Sequence, residues 1–377
     1  MLGHSLARIY RFLGYKTVSI NHLGDWGTQF GKLIYAYKTW GSREEVEAKG
    51  VPELTRLYVK FHEEAEQHPE LEDEGRRWFK AIEDGNAEAL ELFNWFKELT
   101  LRDAKPVYDL LGVQFDSYNG ESFYVDKTDR VVEELREKNL LTISDGASVV
   151  DLDEEKSGMP PCLILKKDGT TIYATRDIAA ALYRKETYDF DKCLYVVAYQ
   201  QDLHFRQWFK VIEKMGYPWY KDLVHVAFGM ISYEGQSLST RKGHVLFLED
   251  VLNMAIEKAR AIIEEKSPNL ENKDEVARQV GVGAVVYADL QNSRIKDIDF
   301  SWDRVLSFDG ETGPYVQYTH ARCCSALRKA EGLEPAEPDY SALSDDYAQE
   351  LLRQLSRFPE TVREAAVRYE PSLITRA

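Results

Sequence analysis

This sequence predicts an α/β fold: a sheet domain, incomplete at its start, is interrupted by a mainly helical insertion and followed by an α-helical C-terminal part. Three observations carry that prediction. A helical period over residues 4–13 runs into the β-branched stretch Thr17-Val18-Ser19-Ile20, the back half of a βαβ unit. A second strand–helix–strand alternation occupies 193–231. Around them lie long charged stretches with apolar residues every three or four positions.

In chain order, Leu6, Ile9, Tyr10 and Leu13 share one face of the first helix, and Gly14 suits its C-terminal stop. No strand precedes this helix. Parallel sheets are built from complete βαβ units, so the chain is expected to begin inside a domain. From 41 to 105 the pattern is helical: Leu54, Leu57, Tyr58 and Phe61 share one face, as do Leu92, Phe93, Phe96 and Leu99. Cys162–Leu165, the turn Lys167-Asp168-Gly169 and Thr171–Ala174 predict a hairpin, and Asp177–Lys185 a helix. Strand Cys193–Ala198, helix Phe205–Met215 closed by Gly216, and strand Val224–Ile231 follow. Beyond about 250 the pattern is mostly helical, with a loop-like stretch at 332–338. The boundaries expected are 1–40 and 160–250 for the two parts of the sheet domain, 41–159 for the helical insertion and connecting region, 251–310 for a helical stem, and 311–377 for the start of a helical C-terminal domain.

Composition narrows the class. The 377 residues carry 48 Lys plus Arg against 64 Asp plus Glu, for a net charge of −16, with 44% apolar and 30% charged residues. That is an ordinary globular mix, not a disordered, collagenous or disulfide-rich chain. No apolar run approaches the ~18 residues of a membrane helix. Arg8 and Arg11 stand where a signal peptide needs an apolar core, although the lack of acids before Asp25 gives the start a faint transit-peptide look. Cys162, Cys193, Cys323 and Cys324 show no C-x-x-C spacing and read as reduced thiols of a cytoplasmic chain. The acidic balance does not suggest nucleic acid, though a local basic patch suffices for a large enzyme to bind RNA.

Candidate chemistry gathers at strand ends, where open α/β sheets bind ligands. Asn21-His22-Leu23-Gly24-Asp25 follows the first strand; it reads equally as a ligand loop and as a turn. Gln200-Gln201-Asp202-Leu203-His204 sits just after another strand, and His204 at a strand-to-helix junction could reach a phosphate. Gly235 to Gly243 encloses Ser237, Ser239, Thr240, Arg241 and Lys242, a hydroxyl-rich basic loop without P-loop spacing that reads equally as a polyphosphate site and as a solvated hairpin tip. Glu121, Asp177, Asp297 and Asp299 stand out by position; two carboxylates and a tyrosine facing one pocket would suit a guanidinium. His320, Arg322, Arg328 and Lys329 form a mild basic stripe. There is no serine–histidine triad motif and no zinc spacing.

Taken together, NHLGDWGTQFGKLI (21–34), YNGES (118–122), IYATRDIAAALYR (172–184), VVAYQQDLHFRQWFKVIEKMGY (196–217), SLSTRKG (237–243) and SFDGETGPYVQYTHAR (307–322) resemble arginyl-tRNA synthetase, a class I aminoacyl-tRNA synthetase, in the family's order. The resemblance implies a Rossmann-like catalytic domain and ATP-dependent ligation of L-arginine to tRNA(Arg) through arginyl-adenylate, with Mg2+ accompanying ATP and no protein metal ligands. It implies that Glu121, Asp177 and Tyr173 form the guanidinium pocket, that Gln201 meets the amino acid's polar end, and that His204 lies near ATP. Asn21, His22, Gly24 and Asp25 would border the site. Residues 237–243 would be the family's KMSKS-type loop over the phosphates, with Ser237 and Thr240 where the general signature has lysines. The family's HIGH signature and first strand would lie before Met1, and the helical anticodon-reading domain would be cut about halfway. A chain of that extent is expected to charge tRNA poorly or not at all and to expose sheet edge and apolar surface, favouring oligomers. Two alternatives stand beside this reading: a non-catalytic arginine- or tRNA-binding fragment, and another class I synthetase, whose pocket would not need the Glu121–Asp177 pair.

Overall fold

Helix α1, Leu2–Phe12, turns Leu6 and Ile9 inward. It stops at Gly14, whose φ of +92° lets the amides of Gly14 and Tyr15 fold back onto the carbonyls of Arg11 and Tyr10. In this computed structural model the described residues are 1–153, 158–233, 236–237, 247–302, 310–332, 337 and 339–377. The strand expected at Thr17–Ile20 is instead an extended segment held at one point. Ile20 bridges Ser117 in parallel, the amides of Asp116 and Ser117 donate to the Ser19 carbonyl, and the Asp116 carboxylate takes the Ser19 N–H. Pairing over two residues is too short for a ladder.

A helical lobe follows: α2 (Thr28–Trp40), α3 (Arg43–Lys49), α4 (Val51–Gln67), α5 (Leu71–Glu83) and α6 (Ala87–Leu111). Side-chain caps by Ser42 on Glu45 N and Asn86 on Ala89 N start α3 and α6. The apolar faces read from the sequence meet in one core that includes Ile34, Leu57, Phe61, Phe93 and Phe96.

The chain then leads through a 3₁₀ turn at Glu121–Lys127 into α7 (Thr128–Glu137) and a meander of β1 (Leu141–Ser144), β2 (Ala147–Val150) and β3 (Cys162–Leu165). The β1–β2 hairpin turns on Asp145-Gly146, both at positive φ, a two-residue signal the sequence carried unused. The hairpin expected over 162–174 is half right. Thr171 bridges back to Leu165, but Tyr173–Tyr188 is helix α8. Burial decides it: Ala174, Ile178, Ala181 and Leu182 lie on one face against the core, and Thr175 anchors the first turn by donating to the Ile164 carbonyl at 2.6 Å.

The second α/β unit has the predicted order of elements, with different bounds for its helix and second strand. Strand β4 (Cys193–Ala198), helix α9 (Asp202–Lys214) and strand β5 (Leu223–Phe228) form a parallel pair in register from Cys193↔Leu223 to Ala198↔Phe228. The strand expected at 224–231 breaks at Gly229, whose amide donates to the Arg294 carbonyl, and resumes as β6 (Ile231–Tyr233) beside the short β7 (Gln236–Ser237). Helices α10 (Leu248–Lys266) and α11 (Lys273–Leu290) follow. Asp297 and Asp299, expected in a helix or turn, belong to a strand region: β8 (Ile298–Phe300) pairs in parallel with β6. The C-terminal helices are α12 (Gly313–Lys329), α13 (Asp346–Arg368) and α14 (Ser372–Thr375). The two ends of the chain share a core, in which Leu6 and Ile9 meet Val226 of β5 and Val362 and Ala365 of α13. Among the described residues, no helix is long and apolar enough to cross a membrane.

Candidate active site

Four segments distant in sequence converge beside the C-terminal end of β4. The loop 21–25 and the stretch 119–122 are zipped together: Glu121 N donates to the Leu23 carbonyl at 2.9 Å, while Ser122 gives its amide and hydroxyl to the Asp25 carboxylate at 2.9 and 2.7 Å. The first turn of α8 brings Tyr173, Arg176 and Asp177, and the first turn of α9 brings His204.

Each acid has a different partner. Asp25 is 4% exposed and bonded to the Lys97 ammonium as well as to Ser122. Burial pushes its carboxyl up, but Lys97 and the Ser122 donors outweigh that and hold it below the usual carboxylate range. Asp25 is therefore a brace between loops. Glu121 accepts from Arg176 through Nε at 3.0 Å and Nη2 at 2.9 Å. Burial raises the Glu121 carboxyl above its ordinary range in spite of Arg176, and the nearby Asp177 charge adds to the rise. Asp177 receives His204 Nε2–H on Oδ2 at 2.7 Å and faces His22 Nε2 across 3.7 Å on Oδ1. Among the described residues, it is the one acid of the three with no lysine or arginine partner.

The remaining expected residues surround these. Tyr173 is half exposed and meets the His204 ring edge to face at 4.7 Å. Gly24 faces Glu121, so that a Cβ there would lie 3.9 Å from Oε1. Asn21 points away from the acids, its amide donating to the Tyr108 hydroxyl at 3.0 Å. Gln201 is exposed in the 3₁₀ turn that leads from β4 into α9. Asp297 lies at the same edge, with Tyr199 Oη 3.4 Å from its Oδ2. Ser239, Thr240, Arg241 and Lys242 fall outside the described residues; of Ser237 only the backbone, in β7, is described. Among the described residues, no group of three or more His, Cys, Asp or Glu side chains is arranged to hold a metal.

Two residues that matter here were missed from the sequence. Arg176 lies within the stretch IYATRDIAAALYR, but its pairing with Glu121 spans 55 residues. Arg184 is buried two turns further along α8 and reaches His22.

Chemically, the cluster offers carboxylates and aromatic edges to a planar cation, next to a strand end and a helix N-terminus. The family model described as tRNA synthetases class I (R), catalytic domain, matches residues 1–302, and that of the DALR anticodon binding domain matches 316–377. The chain belongs to the class I arginyl-tRNA synthetases. It is 60% identical over 376 residues to the arginine–tRNA ligase of Clostridioides difficile and 56% identical to that of Alkaliphilus metalliredigens, covering 100% of this chain and 66% of each relative. The chain thus spans about two thirds of the length of these synthetases. Among solved structures, it superposes on the arginyl-tRNA synthetases of Thermus thermophilus (TM-score 0.84, 27% identity, all of this chain and 68% of that one) and Plasmodium falciparum (TM-score 0.76, 25% identity, all of this chain and 63% of that one). The mixed α/β architecture with a helical C-terminal part is the synthetase fold.

Proposed function

We propose that this chain binds L-arginine at the Asp177–Glu121 cluster, for activation with ATP and transfer to tRNA(Arg), with poor charging by the chain alone. The observation that carries the proposal is the charge balance of the cluster. Asp25 has Lys97 and Glu121 has Arg176, which leaves Asp177 as the carboxylate for an incoming guanidinium. A guanidinium presents a fork of N–H donors that a carboxylate can accept in pairs. Tyr173 lies beside Asp177's His204 partner and would supply the aromatic edge. Glu121, already donated to through Oε2, would add the second negative charge and a shared acceptor.

The amino acid's other end would run toward Gln201 and the β4 strand end. There its carboxylate would attack the ATP α-phosphate, releasing pyrophosphate and forming the mixed anhydride. The terminal ribose hydroxyl of the tRNA would then displace AMP. The protein's part is to position the reactants and stabilise charge. The loop residues Ser237, Ser239, Thr240, Arg241 and Lys242 are proposed to close on the phosphates. Magnesium is proposed to enter as MgATP. His204 is assigned to ATP by the resemblance, yet it donates to Asp177, so its proposed role here is to orient that carboxylate. The α12–α13 region is proposed to contact the tRNA, and the work to take place in the cytoplasm.

The test is calorimetric binding of L-arginine and L-citrulline to the 377-residue chain, followed by tRNA charging with labelled arginine. Citrulline keeps the shape and loses the charge. A site built to hydrogen-bond a group rejects its analogue by roughly 10⁴, and Asp177→Asn is expected to lose most of that preference. Equal binding of the two ligands would overturn the proposal.

A further inference from the structure

Arg184 is 5% exposed, and among the described residues it pairs with no carboxylate. A buried cation without an anion is strongly disfavoured, so its position calls for a reason. Its surroundings are the Tyr124 and Tyr195 rings, 5.7 and 5.4 Å from the guanidinium carbon, the Cys193 thiol, and Nδ1 of His22 at 3.0 Å from Nη2. Among the described residues its Nε–H has no acceptor.

The contact with His22 fixes that ring's chemistry. A guanidinium only donates, so His22 Nδ1 must present its lone pair. The Asn119 carbonyl lies 3.3 Å from the same nitrogen and would favour an N–H there, but the guanidinium is nearer, at 3.0 Å. The proton of a neutral His22 therefore sits on Nε2, the atom that faces Asp177. A second proton would place two donors against each other.

We infer that Arg184 is a positioning residue of the guanidinium site: it locks His22 as the neutral Nε2–H tautomer, so that Asp177 meets a hydrogen-bond donor there and not a competing cation. The inference rests on the arginine-binding reading for its consequence, and on geometry for the tautomer. The groups facing His22 are Asp177 and Arg184 from α8, the Tyr124 ring at 5.8 Å from the 3₁₀ turn, the Asn119 carbonyl, and Asp25 on its own loop; His204 faces Asp177 from α9. Burial and then Arg184 hold the imidazole below its ordinary range, against the opposite pulls of Asp177 and Asn119. Without Arg184 one of the two influences that hold the imidazole down is gone, while Asp177 and Asn119 still pull it up. His22 would then charge more readily and compete with the ligand for Asp177.

The test is nitrogen-15 NMR of the histidine rings in the full chain, with His22→Gln used to assign the signal among the eight histidines. The ligand-free protein is expected to show His22 with its proton on Nε2 and no titration from pH 8 to pH 6. L-arginine binding is expected to be flat over the same range in the wild type and in Arg184→Lys, which keeps a donor. In Arg184→Met it is expected to fall about tenfold more at pH 6 than at pH 8, and the double variant Arg184→Met/His22→Gln should lose that pH dependence. A proton on Nδ1, a His22 that titrates normally in the wild type, or an equal loss at both pH values in Arg184→Met would overturn the inference. If Arg184→Met does not fold, the wild-type and Arg184→Lys spectra decide. Absence of arginine binding in every variant, with the Nε2–H tautomer present, would overturn the arginine reading and uphold the tautomer.

Discussion

Replacing Arg176 by methionine keeps the length of the side chain and removes the cation from Glu121. The pair it breaks consists of two charge-assisted hydrogen bonds at 3.0 and 2.9 Å between side chains that are 11% and 23% exposed. Removing one partner of a buried ion pair typically costs about 3–5 kcal/mol. Here the loss has a ceiling that depends on pH, because the stranded carboxylate can take up a proton. That escape costs about 1.4 kcal/mol for each pH unit above the unfolded pKa of ~4.3, or close to 4 kcal/mol at pH 7.

The sign follows from the raised carboxyl. A glutamate whose folded pKa lies above its unfolded value contributes stability below the unfolded pKa and loses it as pH rises through the folded pKa. Burial already raises Glu121 in the wild type, and loss of Arg176 raises it further. Arg176→Met is therefore expected to lose at most about 3–4 kcal/mol at pH 7, because the wild type already bears part of that cost, at most roughly half that at pH 5.5, and little near pH 4.3. Urea denaturation of the wild type and the variant at those three pH values measures it. Glu121→Gln removes the carboxylate, so Arg176→Met in that background should add less than about 1 kcal/mol. A loss that does not change with pH, or a double variant as unstable as the sum of its parts, would show that Arg176 acts by packing and not by charge.

Asp25→Asn leaves Lys97 without its carboxylate and should cost about 3 kcal/mol at pH 7 by the same assay. Because Asp25 is held below the usual carboxylate range, the gap to wild type should stay full above about pH 4 and close only as pH falls through the lowered pKa. Gly120→Ala would put a Cβ 2.5 Å from both Asp25 Oδ1 and the Leu23 carbonyl, forcing the two loops apart at a cost of about 1–3 kcal/mol, read as a lower melting temperature. Thr175→Val strands the Ile164 carbonyl at the start of α8 and should cost about 1–3 kcal/mol in denaturant. A Thr175→Val protein as stable as wild type would show that α8 needs no anchor on β3.

What was legible in the sequence was whatever repeats at short range. The faces Leu54–Phe61 and Leu92–Leu99, the β4–α9–β5 unit and the stop at Gly14 all follow from local period and turn chemistry. Misassigned were segments whose state depends on a distant neighbour. Thr17–Ile20 has strand residues but only Asp116 and Ser117 to pair with. Tyr173-Ala174 could continue a hairpin by composition, yet becomes helix because Ala174, Ile178 and Ala181 find a core. In the site, the acids were visible because two carboxylates near strand ends are unusual. Their cations were not, because Arg176 to Glu121 spans 55 residues and Arg184 to His22 spans 162.

That difference bears on how such a site selects its ligand. Three carboxylates in one half-buried cluster would repel each other and take up protons unless cations were supplied. The protein supplies them selectively: Lys97 to Asp25, and Arg176 to Glu121. To Asp177 it supplies, among the described residues, imidazole and no lysine or arginine, and the buried Arg184 is set behind His22, where it fixes the ring instead of neutralising the acid. If each acid had its own cation, a guanidinium would have to displace one and would gain little over a neutral side chain. If none had one, the acids would be partly protonated and would offer donors where the ligand needs acceptors. A carboxylate that among the described residues meets imidazole but no lysine or arginine, backed by a second acid already held in place, is the arrangement that leaves a place for one added positive charge. The discrimination against citrulline should therefore depend mainly on Asp177, with Glu121 contributing less because Arg176 already shares it.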